Sequence, residues 1–514
     1  DTEDLTISNT TVKSTHKISK TTLASYYEKK GKNGVLEDNQ INVYVFCNPT
    51  KGLTDFFVDG RNDKSDWMNK IAEINETPNG DLSGQDALAW GGKDYKGGFL
   101  MSTASDADVS KRIPKDLKTW DAHTSSAKAF NLSGKNNASS TDTEINNGGS
   151  IRVERAVARF DFKDGSKNRD QKYDVVTENK GESTVTTIQI ELQKMGLVNM
   201  SKHFYFLRRV SADGLNDNST LCGVEMANNY VVDTDAQAKS ADNLASFDFG
   251  GSFNFCLGSS ASGAWAIDKV AREQWYNVSI SDVIKGDNDE WRDKDYHIWR
   301  YVTENTIPGI ELQQNGISTG IVFKGQIMAT DKASRKLKDA IANAKGNPAK
   351  DPILYSYANT LYVTWEEVRE KAFLTEENSR FYKAVFGNEK KKKNITIKSN
   401  GQTAVYSTDK TSPDYLWQKW HEQNIGNEAF QANFRKAAKK AQFTLYQSNT
   451  DDYDAAGYYC YYFCWNRHND NNDDTVTGPM EFAIVRNNIY KLSVTGINRL
   501  GHPRISENDP APIT

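Results

Sequence analysis

With 514 residues the chain exceeds what one hydrophobic core usually supports, so two domains, or two domains plus a large insertion, are expected. Only 37% of it is hydrophobic and the mean hydropathy is -0.71, yet 23 Tyr, 22 Phe and 11 Trp supply bulky core material that disordered chains lack. A net charge of -4, from 64 basic and 68 acidic residues, provides no global field for nucleic acid or an anionic membrane, and no apolar run is long enough to span a bilayer.

The N-terminus DTEDLTISNT lacks the basic-then-apolar pattern of a signal peptide, which predicts a cytosolic protein or one whose export segment is already gone. Short β-like runs follow, separated by Gly, Asn, Asp and Ser clusters: Asp4 to Ser8, Gln40 to Cys47, Gly98 to Met101, Ile151 to Phe162 and Thr184 to Leu192. A short helix is expected over Asp66 to Ile74, and a polar surface loop over Asn131 to Ser150. The turn-rich stretch Ser211 to Thr220 marks the expected domain boundary. Beyond it, Phe247 to Cys256, Tyr296 to Val302, Ser318 to Met328, Gln442 to Tyr446, Tyr458 to Trp465 and Met480 to Thr495 read as strands, with Tyr490, Leu492 and Val494 on one face.

Between Met328 and Gln442 the apolar period changes from two to about 3.6. Thr330 is the expected cap of a helix ended by Gly346 and Pro348; Thr364 and Glu367 have capping-box spacing; Ser412 and Pro413 open another helix, and Asn427 to Lys440 forms a further one. The predicted fold is therefore all-β with a helical insertion of about 330–441. The last strand is followed by a tail, 498–514, that holds three of the chain's 11 prolines. Helix is excluded over most of it, whereas an extended segment with spaced apolar side chains, able to add to an open sheet edge, is allowed.

Chemistry is scarce. Walker, dinucleotide-binding, nucleophile-elbow and H-E-x-x-H patterns are missing, so no catalytic, cofactor or metal residues are assigned. His16, His123, His203, His297, His421, His468 and His502 are scattered singly. The acidic clusters at Asp451, Asp452, Asp454 and at Asp473, Asp474 depart from EF-hand spacing and read as solvated loops, as does the basic run Lys390 to Lys393. Trp417 and Trp420 suit core packing better than a carbohydrate platform. Cys47, Cys222, Cys256, Cys460 and Cys464 are odd in number and lack a C-x-x-C pair, so they read as buried thiols; in a strand, Cys460 and Cys464 lie about 13 Å apart, beyond disulfide reach.

Five strings in order, NVYVFCN (42–48), VERAVARFDF (153–162), YVTENT (301–306), STGIVFKGQI (318–327) and PMEFAIVRNNIYKLSVTGI (479–497), resemble the fimbrillin family of Bacteroidales. The last block is most similar to shaft subunits of Porphyromonas minor (short) fimbriae. The resemblance implies two tandem transthyretin-like β-sandwich domains, 1–215 and 216–497, and a donor-strand tail, 498–514. It further implies a lipoprotein precursor, exported to a fimbria on the outer membrane, from which an arginine-specific protease removes an N-terminal segment to open an acceptor groove in the N-terminal domain. Partners are then copies of the chain in a head-to-tail polymer, accessory and anchor subunits, and host or bacterial receptors, in the service of adhesion, biofilm formation and virulence. Leu500, Ile505 and Ile513 are the expected pocket fillers of the donor, and Val157, Phe160 and Phe162 line the groove or the adjacent core. The alternatives are an accessory or tip adhesin of the same family and, more distantly, an extracellular carbohydrate-active enzyme.

Overall fold

Along Ala158–Asp164 the aromatic rings of Phe160 and Phe162 face one way and Arg159 and Asp161 the other, and this period of two decides how the strand packs. In a computed structural model this strand, β1 (Ala158–Asp164), lies inside a sandwich of two sheets that share one core. The residues described are 15–58, 66, 68–77, 79–92, 98–132, 136, 151–217, 219–223, 230–240, 242–256, 278–289, 293–312, 316–344, 353–389, 392–398, 401–422, 428–451, 454–473 and 475–503. The expected strand at Asp4 to Ser8, nearly all of the 131–150 loop beyond Leu132, and Ile505 and Ile513 lie outside them.

The other sandwich strands are β2 (Lys172–Lys180), β3 (Ser183–Val198), β4 (Asn288–Asp289), β5 (Asp293–Val302), β6 (Gly320–Ala329), β7 (Ile353–Tyr357), β8 (Thr360–Tyr362), β9 (Thr444–Asp451), β10 (Asp454–Trp465), β11 (Ile489–Val494) and β12 (His502–Pro503). One sheet has the order β4-β5-β1-β11, with β1 antiparallel to β5 and parallel to β11. The other runs β2-β3-β6-β10-β9-β7-β8, with β12 alongside β10. Between the sheets Phe160 packs on Trp299 (ring centroids 5.7 Å) and Tyr490 (5.5 Å), and Phe162 meets Phe323 of the opposite sheet at 6.1 Å. Ile188, Ile190, Leu192 and Ile321 complete this dry layer. The β2–β3 hairpin closes through Gly181 at φ +67°, the left-handed conformation that a two-residue hairpin loop demands.

Hydrogen-bonded ladders cross the boundary placed at 215/216: β3 pairs with β6, and β1 with both β5 and β11. The turn-rich stretch connects two strands of a small three-stranded sheet in which Arg209–Ser211 lies between Thr220–Leu221 and Tyr230–Val231. The chain is predominantly β, and its helical insertion lies between β6 and β9. After the N-terminal helices α1 (Lys20–Lys30) and α2 (Lys51–Val58), the insertion holds α3 (Arg335–Ala342), α4 (Trp365–Phe373), α5 (Arg380–Phe386), α6 (Pro413–His421) and α7 (Glu428–Lys440). It has its own core of Trp365, Val368, Tyr382, Val385, Phe386 and Phe434. Within it Arg369 Nε donates to Asp414 Oδ1 at 2.6 Å while its other nitrogens reach the carbonyls of Thr396 and Val405. Thr364 caps α4 by accepting from Glu367 N (3.2 Å), and Ser412 caps α6.

Several expected elements differ. Thr330 is tied to β3 through its hydroxyl, which donates to Thr186 O, so Ser334 caps α3 instead. Ile71–Glu73 forms a strand with His203–Tyr205, where a tertiary partner overrides the local helical pattern. Asp248 accepts from Gly251 N at 3.0 Å and turns the chain into the helical Phe249–Ser252, leaving only Phe253–Asn254 as strand. Positive φ at Met480 and Asn487 breaks the run expected from Met480, so β11 starts at Ile489. Helices α1 and α2 and strand β2 lie where no element is expected, and β7 and β8 of the larger sheet fall inside the stretch read as a helical insertion; α1 buries only Tyr27, so it carries no apolar stripe to read.

Candidate functional site: an open strand edge and its groove

Strand β11 ends its sheet. Arg159 N donates to Asn488 O at 3.0 Å and Arg159 is the partner of Ile489, which sets the phase of the parallel ladder. The N–H and C=O groups of Tyr490 and Leu492 therefore face β1, and those of Ile489, Lys491 and Ser493 face the open side. No strand pairs with that side among the described residues.

Sheet edges are normally blunted by charges, prolines, bulges or shortness. Edge strand β2 shows this protection: it carries Lys172, Asp174, Glu178 and Lys180, and its pairing shifts register at Asp174/Val176 and Val176/Thr177. Edge strands β8 and β4 are three and two residues long. Strand β11 keeps six partner pairs in unbroken register with β1, lacks proline, and has the single charge Lys491, whose Nζ is drawn to Asp293 (3.2 Å) and the Tyr296 ring (5.0 Å). It is the longest unprotected edge of the sandwich among the described residues.

Beside it opens a groove of about 460 Å³, bounded by Leu492, Ser493 and Val494, by 495–499, and by Leu192, Ile321, Phe323, Tyr462, Phe463 and Cys464 from the facing sheet. Leu492, Val494 and Ile497 are half-buried and pack on the central core. Cys464 is exposed at the groove and Cys47 is half-buried, so the expected buried thiols are Cys222, Cys256 and Cys460 alone.

Upstream, the entry into β11 is fixed by Arg486, which has 1% exposure. Its Nε and Nη2 donate to the two Glu304 oxygens at 3.1 Å each, and Nη1 and Nη2 donate to the carbonyls of Phe206 (3.2 Å) and Tyr205 (2.6 Å). Burial opposes its charge, but the Glu304 carboxylate outweighs that and raises its pKa. Downstream, the tail is clamped onto the larger sheet. Tyr462 Oη donates to Arg499 O (3.1 Å), Tyr446 Oη to Gly501 O (2.6 Å), and His502 and Pro503 pair with Tyr461 and Cys460. Only glycine fits at 501, where a Cβ would sit 2.6 Å from Tyr461 O.

Of the residues singled out in the sequence, Val157, Phe160 and Phe162 are all 2% exposed or less and form the adjacent core. Leu500 is 9% exposed and packs in its own chain's core. Trp417 stacks on Tyr406 (5.9 Å) and on His421 (3.9 Å), and Trp420 stacks on Phe434 (5.6 Å), so these rings serve packing. Asp473 accepts from the Thr475 N–H and hydroxyl in a tight turn. Among the described residues no group of three His, Cys, Asp or Glu side chains is placed to hold a metal ion, and no helix is long and apolar enough to cross a membrane. What the sequence reading did not find was β11 as the open edge. The signal was present in the unbroken alternation of Ile489 to Val494, but edge position depends on which strands pair.

These features define a predominantly β protein with a helical insertion and an exposed strand edge next to an apolar groove. Residues 456–514, which contain most of β10 and all of β11, β12 and the tail, match the family described as Major fimbrial subunit protein type IV, Fimbrillin, C-terminal, so the C-terminal segment is similar to that of fimbrillins. No curated protein matches it.

Proposed function

We propose that the chain is a shaft subunit of a Bacteroidales-type fimbria, similar to Porphyromonas minor fimbriae, that polymerises head to tail by donating its C-terminal tail to the open edge of a neighbour's β11. The observation that carries this reading is the unprotected, bulge-free edge beside an apolar groove. A strand added there gains main-chain hydrogen bonds from Ile489, Lys491 and Ser493 and side-chain burial from the groove. Repeated donation between non-equivalent surfaces gives an open filament. On this reading the acceptor edge comes from β11 rather than from an N-terminal strand, and proteolytic removal of an N-terminal segment clears access to it.

The donor is assigned to 504–514, with Ile505 and Ile513 as pocket fillers and Leu500 as the buried root. Eleven residues reach about 36 Å when extended, enough for a six-residue edge of about 20 Å. The test deletes Arg504 to Thr514 in the native host and leaves Leu500 and β12 in place, because losing Leu500 would itself cost about 2–5 kcal/mol of core packing. Folded, exported monomer without fibres by electron microscopy and without SDS-resistant ladders is the expected result. Normal fibres would reject donation through the tail and favour an accessory or tip adhesin. Adhesion, biofilm support and outer-membrane display follow from the shaft role.

A further inference from the structure

The segments 230–240 and 301–306 meet around one amine. Lys239 has no exposed surface, and its Nζ lies 2.8 Å from Asp235 Oδ1, 3.1 Å from Asp233 Oδ2, 2.8 Å from Asn305 Oδ1 and 3.2 Å from Thr306 O. The Phe253 ring is 5.4 Å away. Asn305 is fully buried too, and its Nδ2 faces the carbonyls of Asn199 (3.3 Å) and Ile317 (3.1 Å) and Thr319 Oγ1 (2.8 Å). Those acceptors fix the amide plane and turn its carbonyl towards the amine.

The two carboxyl groups differ. Asp233 accepts from Thr306 N (2.9 Å) and Thr234 Oγ1 (3.2 Å) and serves as the counter-charge. Asp235 stands at the mouth with its side chain 19% exposed. Burial raises its pKa, with Asp233 adding to the shift and Lys239 opposing it. Burial likewise disfavours the Lys239 ammonium, but the carboxylates outweigh this, so the amine rests charged. One ammonium facing one carboxylate would make an ordinary buried ion pair. Here a second carboxyl group and an immobilised amide share the same amine.

We propose that this cluster forms an intramolecular amide bond between Lys239 Nζ and Asn305 Cγ. Asp235 accepts a proton from the Lys239 ammonium, and the neutral amine attacks Asn305 Cγ. The Cγ–Nδ2 bond breaks as Nδ2 takes protons from the attacking nitrogen and from Asp235. One ammonium and one primary amide thus become one secondary amide and one ammonium ion, with no oxidant or cofactor. The amine, which now donates to Asn305 Oδ1, must leave the carbonyl oxygen and close on the carbonyl carbon from the face of the amide. The dry surroundings lower the cost of the neutral amine and exclude competing water, and the mouth at Asp235 lets the ammonium ion leave.

The test is the intact mass of the full purified chain after denaturation and reduction, followed by peptide mapping. The expected result is a deficit of one ammonia and a joined peptide pair that contains Lys239 and Asn305. Lys239→Arg and Asn305→Ala should each restore the full mass, and Asp235→Asn should leave at least tenfold less linked chain with an unchanged circular dichroism spectrum. Since the chain without substitutions alone decides the question, variants that fail to fold do not blunt the test. A full-mass chain with the two residues in separate peptides overturns the proposal. So does an ammonia deficit mapped to another asparagine, or a water deficit mapped to Asp235.

Discussion

Replacing Arg486 by Met should cost about 3–5 kcal/mol, because it leaves the Glu304 carboxylate, 2% exposed, buried without its counter-charge. The carbonyls of Tyr205 and Phe206 lose their donor as well, and this part of the cost, about 1–3 kcal/mol, persists whatever happens at Glu304. The double variant Arg486→Met with Glu304→Leu removes both charges and should recover most of the remainder, since an apolar pair of similar volume is often neutral. Urea titration followed by tryptophan fluorescence reads the midpoints. Hydrogen exchange adds a local readout: because Arg486 lies three residues before β11, the single variant should expose the amides of Tyr490 and Leu492 that face β1. A loss below about 1 kcal/mol in the single variant, or a double variant no better than it, would refute the argument that charge compensation holds this turn in place.

Proline at Lys491 or Ser493 should leave the monomer folded yet abolish SDS-resistant ladders, because those N–H groups face the open side; proline at Leu492 should instead release β11 from β1, seen as lost amide protection. Ala358 and Asn359 form the β7–β8 turn at φ +47° and +62°, and Ala358→Asn should raise stability by about 0.5–1 kcal/mol, read as a higher melting midpoint. Although burial works against its charge, N–H groups of Asn388 and Thr411 and the Thr411 hydroxyl hold the Asp409 pKa below the ordinary value. A depressed folded-state pKa contributes stability above the unfolded value that disappears as pH falls through the folded one, so the insertion should loosen on acidification below about pH 4, and Asp409→Asn should remove that component of the pH profile.

What could be read from the sequence was local. The cap at Thr364 and the Ser412–Pro413 helix start stand as expected, because capping depends on residues within one turn. The alternation around Phe160 and Phe162 correctly marked a core strand for the same reason. Partnership was not readable: β1 pairs with β11 only through distant register, and Arg155 N donates to Asn487 Oδ1, 332 residues later. The buried side chains Arg486, Glu304, Lys239 and Asn305 looked like ordinary polar residues in the sequence, since only the fold excludes water from them.

The parallel pairing of β1 with β11 also constrains how the molecule comes to be folded. β1 lies near residue 160 and must wait for a partner near residue 490, while the larger sheet waits for β10 between β6 and β9. A chain emerging N-terminus first would thus hold its long hairpin β2–β3 and much unpaired strand until almost the whole polypeptide is available. Contacts of such sequence separation make folding slow, and the unfinished chain presents several sticky edges during that interval. Segment 456–503 completes both sheets, so a chain not yet made that far has no finished edge at β11 to offer a neighbour.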